Sequence, residues 1–273
     1  MNRIVGLVAA TVSLAVLLPP TAVSAQRSDA EWLEDCEDRG WDEDEVYCEV
    51  RTVDVEASGH LRVDGGRNGG ALVEGSAGSG VSATARIKVW GDSRAEARRD
   101  AEDVRINTSN GVLSADGPGG HRWSVTFHVT VPSRYDLTLE AHNGPVGVHG
   151  VSGDIELSTR NGPVSVSDAG GSVRARTQNG PVVIELSGSQ WAGEGLDAET
   201  RNGPIRLEIP DGFNADLETG TRNGPMRTDI PLTVTFEGSF GGSRSRHLRT
   251  ELGAGGPSIR AVTTNGPVVI ERR

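Results

Sequence analysis

The stretch TRNGPV stands at Thr159–Val164, and it returns as TRNGPI at Thr200–Ile205 and TRNGPM at Thr221–Met226. Shorter variants, HNGPV, QNGPV and TNGPV, surround Asn143, Asn179 and Asn265. The turn asparagines Asn143, Asn161, Asn179, Asn202, Asn223 and Asn265 are therefore spaced by 18, 18, 23, 21 and 42 residues. A period near 20 marks a repeat architecture, and the last gap, twice 21, reads as one turn replaced by something else.

Alignment on the Asn exposes a strict alternation. Apolar residues stand six and four positions before it, as in Leu137 and Leu139, Ile155 and Leu157, or Ile259 and Ala261. They recur three and five positions after it, as in Val146 and Val148, Val182 and Ile184, or Val268 and Ile270. Such alternation makes strands with one buried and one wet face. Asn110, with Ile106 before it and Leu113 after it, joins the set without a proline.

Asn-Gly between alternating runs is the strongest short hairpin signal, because both turn positions favour positive φ. The proline opposes it: in a two-residue hairpin the residue after Gly donates its N–H across the turn, and proline has none. At a solenoid corner no such bond is needed. The expected fold is all-β, a parallel β-solenoid of about 18–21 residue coils, in preference to a barrel of hairpins. Each stacked Val, Ile or Leu then contributes about 1.5 to 3 kcal/mol when fully buried. The six asparagines are expected to form a structural ladder, and the turn glycines to supply a left-handed conformation.

Longer flanking strands are expected at Val81–Trp90 and Arg122–Pro132. Between them Ala97, Ala101 and Val104 fall at helical spacing after Asp92 or Ser93, predicting a short helix that caps the first coil. A strand pair and a Gly-rich loop are expected over residues 232–260, in place of the missing turn.

Residues 1–25 read as a secretory signal peptide: Arg3, an apolar run, then Val23-Ser24-Ala25. The expected localisation is exported, to the periplasm, cell surface or extracellular space, with no transmembrane segment in the mature chain. Cys36 and Cys48, the two cysteines, are expected to form a disulfide in that oxidising setting. They lie in an arm over 26–52, followed by the repeat domain over 53–273. The net charge of −11 is concentrated near the arm, since Gln26–Glu56 holds 13 Asp or Glu against 3 Arg. The acidic run Asp42–Glu45 lacks the spacing of a calcium loop and reads as a solvated linker. No basic footprint for nucleic acid is present.

The serial TRNGPV turns, the Ala-rich helix before VRINTSNGVLSADGP, the strand closing in VTVP and the terminal GAGGPSIRAVTTNGPVVIE resemble the bacterial putative-adhesin family of β-solenoids. That resemblance covers about Val53–Glu271 and implies an exported envelope domain with no agreed catalytic residues to carry over. The cysteine-bearing arm lies outside it.

Catalysis lacks a constellation. There is a single lysine, Lys88, and the six histidines show neither HxH nor HExxH spacing. His142 and His149 flank one turn and read as surface imidazoles. No metal site and no cofactor are expected.

The residues just before each turn Asn are more informative: His142, Arg160, Gln178, Arg201, Arg222 and Thr264 fall into one column on stacking. Arg160, Arg201 and Arg222 are the candidate contacts for an anionic glycan, lipopolysaccharide or another envelope protein; the plainer alternative is that they keep the turns soluble. Trp191, in the insertion SGSQWAGEG, is a candidate glycan-stacking residue or a lid, whereas Trp90 and Trp123 read as core caps. The leading role is a non-catalytic adhesin or scaffold. A polysaccharide-acting β-helix enzyme and self-association through the end strands, with Glu271, Arg272 and Arg273 as edge protection, are the alternatives.

Overall fold

A computed structural model describes residues 28–37, 45–56, 58–230 and 246–273. The signal segment, Trp41, most of the acidic run and residues 231–245 lie outside the described residues.

The N-terminal part comprises α1 (Asp29–Glu37), β1 (Glu45–Asp54), β2 (His60–Asp64), β3 (Gly70–Ser76), β4 (Ser82–Gly91), α2 (Arg94–Glu102), β5 (Arg105–Ser109), β6 (Val112–Asp116) and β7 (Trp123–Pro132). The repeats follow as pairs of strands joined by the NGP turns: β8 (Asp136–Ala141) and β9 (Val146–His149), β10 (Ser152–Asn161) and β11 (Val164–Ser167), β12 (Gly170–Asn179) and β13 (Val182–Glu185), β14 (Gly195–Asn202) and β15 (Ile205–Ile209), β16 (Ala215–Asn223) and β17 (Met226–Thr228). After β18 (Arg246–Leu252) the chain ends in the pair β19 (Ser258–Asn265) and β20 (Val268–Arg272).

These strands build two mixed sheets of ten. One runs β1-β4-β7-β3-β9-β11-β13-β15-β20-β17, the other β18-β16-β19-β14-β12-β10-β8-β2-β6-β5. Within each repeat the NGP turn carries the chain from the second sheet to the first. Like positions stack in parallel register, Leu157 beside Ala175 and Val166 beside Ile184. The inward residues of both sheets form one core, with Ile155, Leu157, Val182, Ile184, Ile205 and Leu207 fully buried. Antiparallel strands close the ends through β1 with β4, β4 with β7, β5 with β6, and β16 with β18.

The pairs do not stack in chain order. The final pair, β19 and β20, lies between β14/β15 and β16/β17, so Asn202 neighbours Asn265 rather than Asn223. Chemistry favours this order. β17 carries Met226 and an exposed Thr228 where other units carry two buried aliphatics, so it loses least at a sheet edge, while Val268 and Ile270 are fully buried between neighbours. The C-terminal residues are consequently not edge protection: Arg206 pairs with Glu271, and Arg273 N–H donates to the Ile209 carbonyl at 3.0 Å. At this end the last strands of the two sheets are β17 and β18, and at the other end β1 and β5.

Asn110 sits in a different place from the repeat turns. It and Gly111 have φ of 54° and 72° at the tip of the β5–β6 hairpin, with Ser109 opposite Val112. Asn-Gly without proline makes a hairpin here, and Asn-Gly-Pro does not.

Ser93 caps α2, its Oγ accepting from the Glu96 N–H at 3.2 Å while Glu96 accepts from the Asp92 N–H at 2.9 Å. Ala97, Ala101 and Val104 are buried, and α2 packs on β4 and β1. The division placed between residues 52 and 53 falls inside β1, whose ten residues all pair with β4, because Val53 is needed in the main core. The cysteine-bearing segment is thus built into the first sheet. Cys36 of α1 is bonded to Cys48 of β1, and both join Val46 in a second small core, against which Trp32, Leu33 and Trp90 pack. Trp90 accordingly belongs to this outer cluster, whereas Trp123 packs on the main core.

Beneath α1, Arg86 is 7% exposed, donates to Asp29 at 2.8 Å and lies 5.7 Å from the Trp32 ring centre. Burial first, and the Arg86 charge second, lower the nearby His128 from its ordinary 6.5 to about 4, against a smaller upward pull from Asp29. A depressed histidine stabilises the fold above 6.5 and loses that contribution as pH falls towards 4. The expected loss is on the order of 2 to 3 kcal/mol. Urea unfolding between pH 7 and 4.5 should therefore be steeper in wild type than in His128→Gln; parallel curves would assign the slope to other groups.

Candidate ligand-binding edge

The NGP turns line one edge of the molecule. Their asparagines form a continuous amide ladder in spatial order: Asn143 Nδ2 donates to Asn68 Oδ1 at 3.1 Å, Asn161 to Asn143 at 2.8 Å and Asn179 to Asn161 at 2.7 Å. Asn202 donates to Asn179 at 2.9 Å, Asn265 to Asn202 at 2.7 Å, and Asn223 to Asn265 at 2.8 Å. At the N-terminal end Asn68 Nδ2 donates to the His121 carbonyl at 3.0 Å. Asn68 is a member that motif matching missed, since RNGG lacks the proline. Its signal was Ala71 and Val73, three and five residues on, both buried.

Behind the ladder, the threonine two positions before the Asn turns inward. Thr159, Thr177, Thr200, Thr263 and Thr221 donate to the carbonyls of Gly144, Gly162, Gly180, Gly203 and Gly266, each the turn glycine of the adjacent unit, at 2.8 to 3.0 Å. Five of the six turn glycines are not left-handed as expected: Gly144, Gly162, Gly180, Gly203 and Gly224 do not adopt positive φ, whereas Gly266 has a φ of 158°. They are required by proximity. A Cβ on Gly180 would lie 2.0 Å from the Gly162 carbonyl oxygen, and the same overlap recurs along the stack.

Outside the ladder runs the column of preceding residues. The observed strand order makes it Arg67, His142, Arg160, Gln178, Arg201, Thr264, Arg222, with Arg67 placed by the bond from the Asn143 N–H to its carbonyl at 2.9 Å. Arg160, Arg201 and Arg222 do share this column, but the expected adjacency of Arg201 and Arg222 is lost because β19 inserts Thr264 between them. Arginine therefore occupies every second rung, at Cα intervals of about 9.6 Å from a strand spacing of about 4.8 Å. All four arginines are exposed.

Their electrostatic setting differs from that of the sheet faces. On the second sheet Arg176 pairs with Asp197 at 2.9 Å, and Arg260 reaches Asp197 at 2.6 Å. On the first sheet Arg206 pairs with Glu208 at 3.1 Å and also with Glu271. Among the described residues, Arg67, Arg160, Arg201 and Arg222 make no ion pair with a carboxylate. Arg176, Arg206 and Arg260 are neutralised within the sheets, and the edge arginines, like Arg174 of β12 and Arg227 of β17, are left to solvent or a ligand.

Comparison with known proteins gives little beyond shape. No family model matches the chain, and no curated protein matches it. A solved structure from Clostridium sporogenes ATCC 15579, described as a "putative cell adhesion protein", is similar over 84% of this chain and 100% of its own, at 8% identity and a TM-score of 0.42. A "putative adhesin" from Bacteroides fragilis NCTC 9343 is similar over 83% of this chain and 97% of its own, at 9% identity and 0.36. A "putative lipid binding protein" from Parabacteroides distasonis ATCC 8503 covers 83% and 96% respectively, at 9% identity and 0.29. At these identities and TM-scores the likenesses establish no activity.

Trp191 is not on the turn edge. It is 4% exposed, belongs to the main core and donates from Nε1 to the Gly171 carbonyl at 2.9 Å. The insertion that carries it accounts for the longer 23-residue spacing between Asn179 and Asn202. It is neither a stacking platform nor a lid.

His149 Nδ1 lies 3.8 Å from Asp168 Oδ2, and His60 contacts Thr138 at 3.3 Å. Among the described residues no group of three His, Cys, Asp or Glu is arranged to hold a metal, and no helix is long and apolar enough to cross a membrane. Burial tends to raise the pKa of Asp168, but its hydrogen bond to Arg273 and that residue's charge, with smaller help from Ser187 and His149, hold it below the ordinary carboxylate value. This pair ties the C-terminus to the first sheet.

Proposed function

We propose that this chain is an exported, non-catalytic envelope or surface protein, a two-sided β-solenoid whose turn edge binds an anionic glycan. The export reading rests on the N-terminal segment and agrees with the Cys36–Cys48 bond. The solenoid reading rests on the alternation of successive strands between two parallel-stacked sheets. The binding reading is carried by one observation: four exposed arginines aligned in one column along a rigid edge without internal carboxylate partners, where Arg176, Arg206 and Arg260 of the sheet faces have them.

An edge of this kind binds by summing weak, repeated contacts. Each arginine offers a planar fork to a carboxylate, sulfate or phosphate. The amide ladder holds the backbone rungs in place, so the polymer meets a preorganised row.

The test is binding of the mature protein to immobilised polygalacturonate, lipopolysaccharide and a neutral glucan, compared with Arg160→Gln/Arg201→Gln/Arg222→Gln. Wild type should bind an anionic surface and lose affinity with salt, and the triple variant should lose about tenfold or more while its unfolding curve stays unchanged. Binding to lipopolysaccharide alone would locate the anion in its phosphates. Equal binding of variant and wild type, or none by either, overturns the reading.

A further inference from the structure

Resting on that reading, we infer that the edge matches a linear polysaccharide with one acidic sugar in every two, in preference to one charged at every sugar. The basis is the rung order, which the chain order hides. Arg67, Arg160, Arg201 and Arg222 alternate with His142, Gln178 and Thr264 because the last repeat is inserted ahead of the one before it.

Two periods coexist on this edge. The amide ladder repeats at every rung, about 4.8 Å, and the arginines at every second rung, about 9.6 Å. With bonds of about 1.5 Å, a pyranose spans about 5 Å between its linkage oxygens. One sugar therefore advances about one rung, and a disaccharide brings its acid back into register with the next arginine.

The neutral rungs suit the neutral sugar. An asparagine amide offers two N–H donors and two acceptor lone pairs, and the ladder uses one of each in its interior members. The remaining donor and acceptor repeat at every rung, as sugar hydroxyls do. On the arginine rungs the turn prolines Pro163, Pro204 and Pro225 are exposed as well, a surface for the apolar C–H face of the acidic sugar, whereas Pro145, Pro181 and Pro267 on the neutral rungs are half-buried. A polymer that turns a carboxylate to the edge at every sugar would instead place every second one against Gln178 or Thr264, desolvating it without a cation.

Three probes separate the possibilities: a hyaluronan octasaccharide with four carboxylates on alternate sugars, an octagalacturonate with eight, and a neutral chitin oligomer. Wild type should bind hyaluronan at least as tightly as octagalacturonate despite half the charge, and chitin least. Gln178→Arg/Thr264→Arg, which charges the neutral rungs, should shift the preference towards octagalacturonate by about tenfold. If wild type ranks the probes by carboxylate number alone, and the Arg160/Arg201/Arg222 triple variant loses both acids equally, the register inference is overturned while the anionic-glycan reading stands. If neither acidic probe binds, the register inference falls, and the anionic-glycan reading falls with it unless lipopolysaccharide binds.

Discussion

Gly180→Ala should prevent folding under conditions in which wild type is stable. The added methyl would sit 2.0 Å from the Gly162 carbonyl oxygen and 2.5 Å from its carbonyl carbon. Both are backbone atoms, so no rotamer change relieves the overlap. The rungs cannot separate, because Gly180 N–H donates to Asn202 O at 3.0 Å and Gly162 N–H donates to Asn179 O at 3.0 Å. Asn179 also lies inside the amide ladder, so a local shift breaks bonds on both sides. A destabilisation of about 4 kcal/mol or more is expected, at the upper end for point substitutions. Gly80→Ala is the control, since its Cβ meets nothing within 4 Å, and it should change stability by less than about 0.5 kcal/mol. Urea unfolding of the two variants checks the contrast; a Gly180→Ala protein as stable as Gly80→Ala would refute close approach as the reason for the turn glycines.

Trp191→Ala should cost about 3 to 5 kcal/mol, the range for deleting a buried large aromatic. The indole is 4% exposed, and truncation both opens a cavity and leaves the Gly171 carbonyl without its 2.9 Å donor. Trp191→Phe retains most of the volume and loses the N–H, so it should cost about 1 to 3 kcal/mol. The discriminating measurement pairs unfolding with glycan binding of the folded fraction. Binding per folded molecule should be unchanged in both variants, since the side chain belongs to the core. A selective loss of affinity with normal stability would return Trp191 to the ligand-binding surface.

These expectations draw unevenly on the sequence. The inward positions were legible because alternation is local: Leu157, Val166, Ile184 and Leu207 could be assigned to a buried face from parity alone, and all are buried. The proline argument separated repeat turns from hairpins, as the contrasting geometry at Asn110 and Gly111 bears out. The α2 cap was legible for the same reason, its signals lying within one turn of helix. Trp191 was misread because an indole in a Gly-rich insertion has no parity to follow, and only the fold shows whether the insertion turns outward or back into the core.

By itself, then, the sequence determined the strand faces, the place of the turns and the existence of a stacked edge, since each follows from residues within about 20 positions of one another, while the reason for the turn glycines came from the close approach of neighbouring rungs. The tertiary structure alone decided which repeat lies beside which. Every NGP unit presents nearly the same stacking surface to its neighbours, so their order depends on differences that matter only at the ends: Met226 and Thr228 tolerate an edge, whereas Val268 and Ile270 are buried between partners. That choice moves Thr264 between Arg201 and Arg222, and the alternating arginine track comes from it.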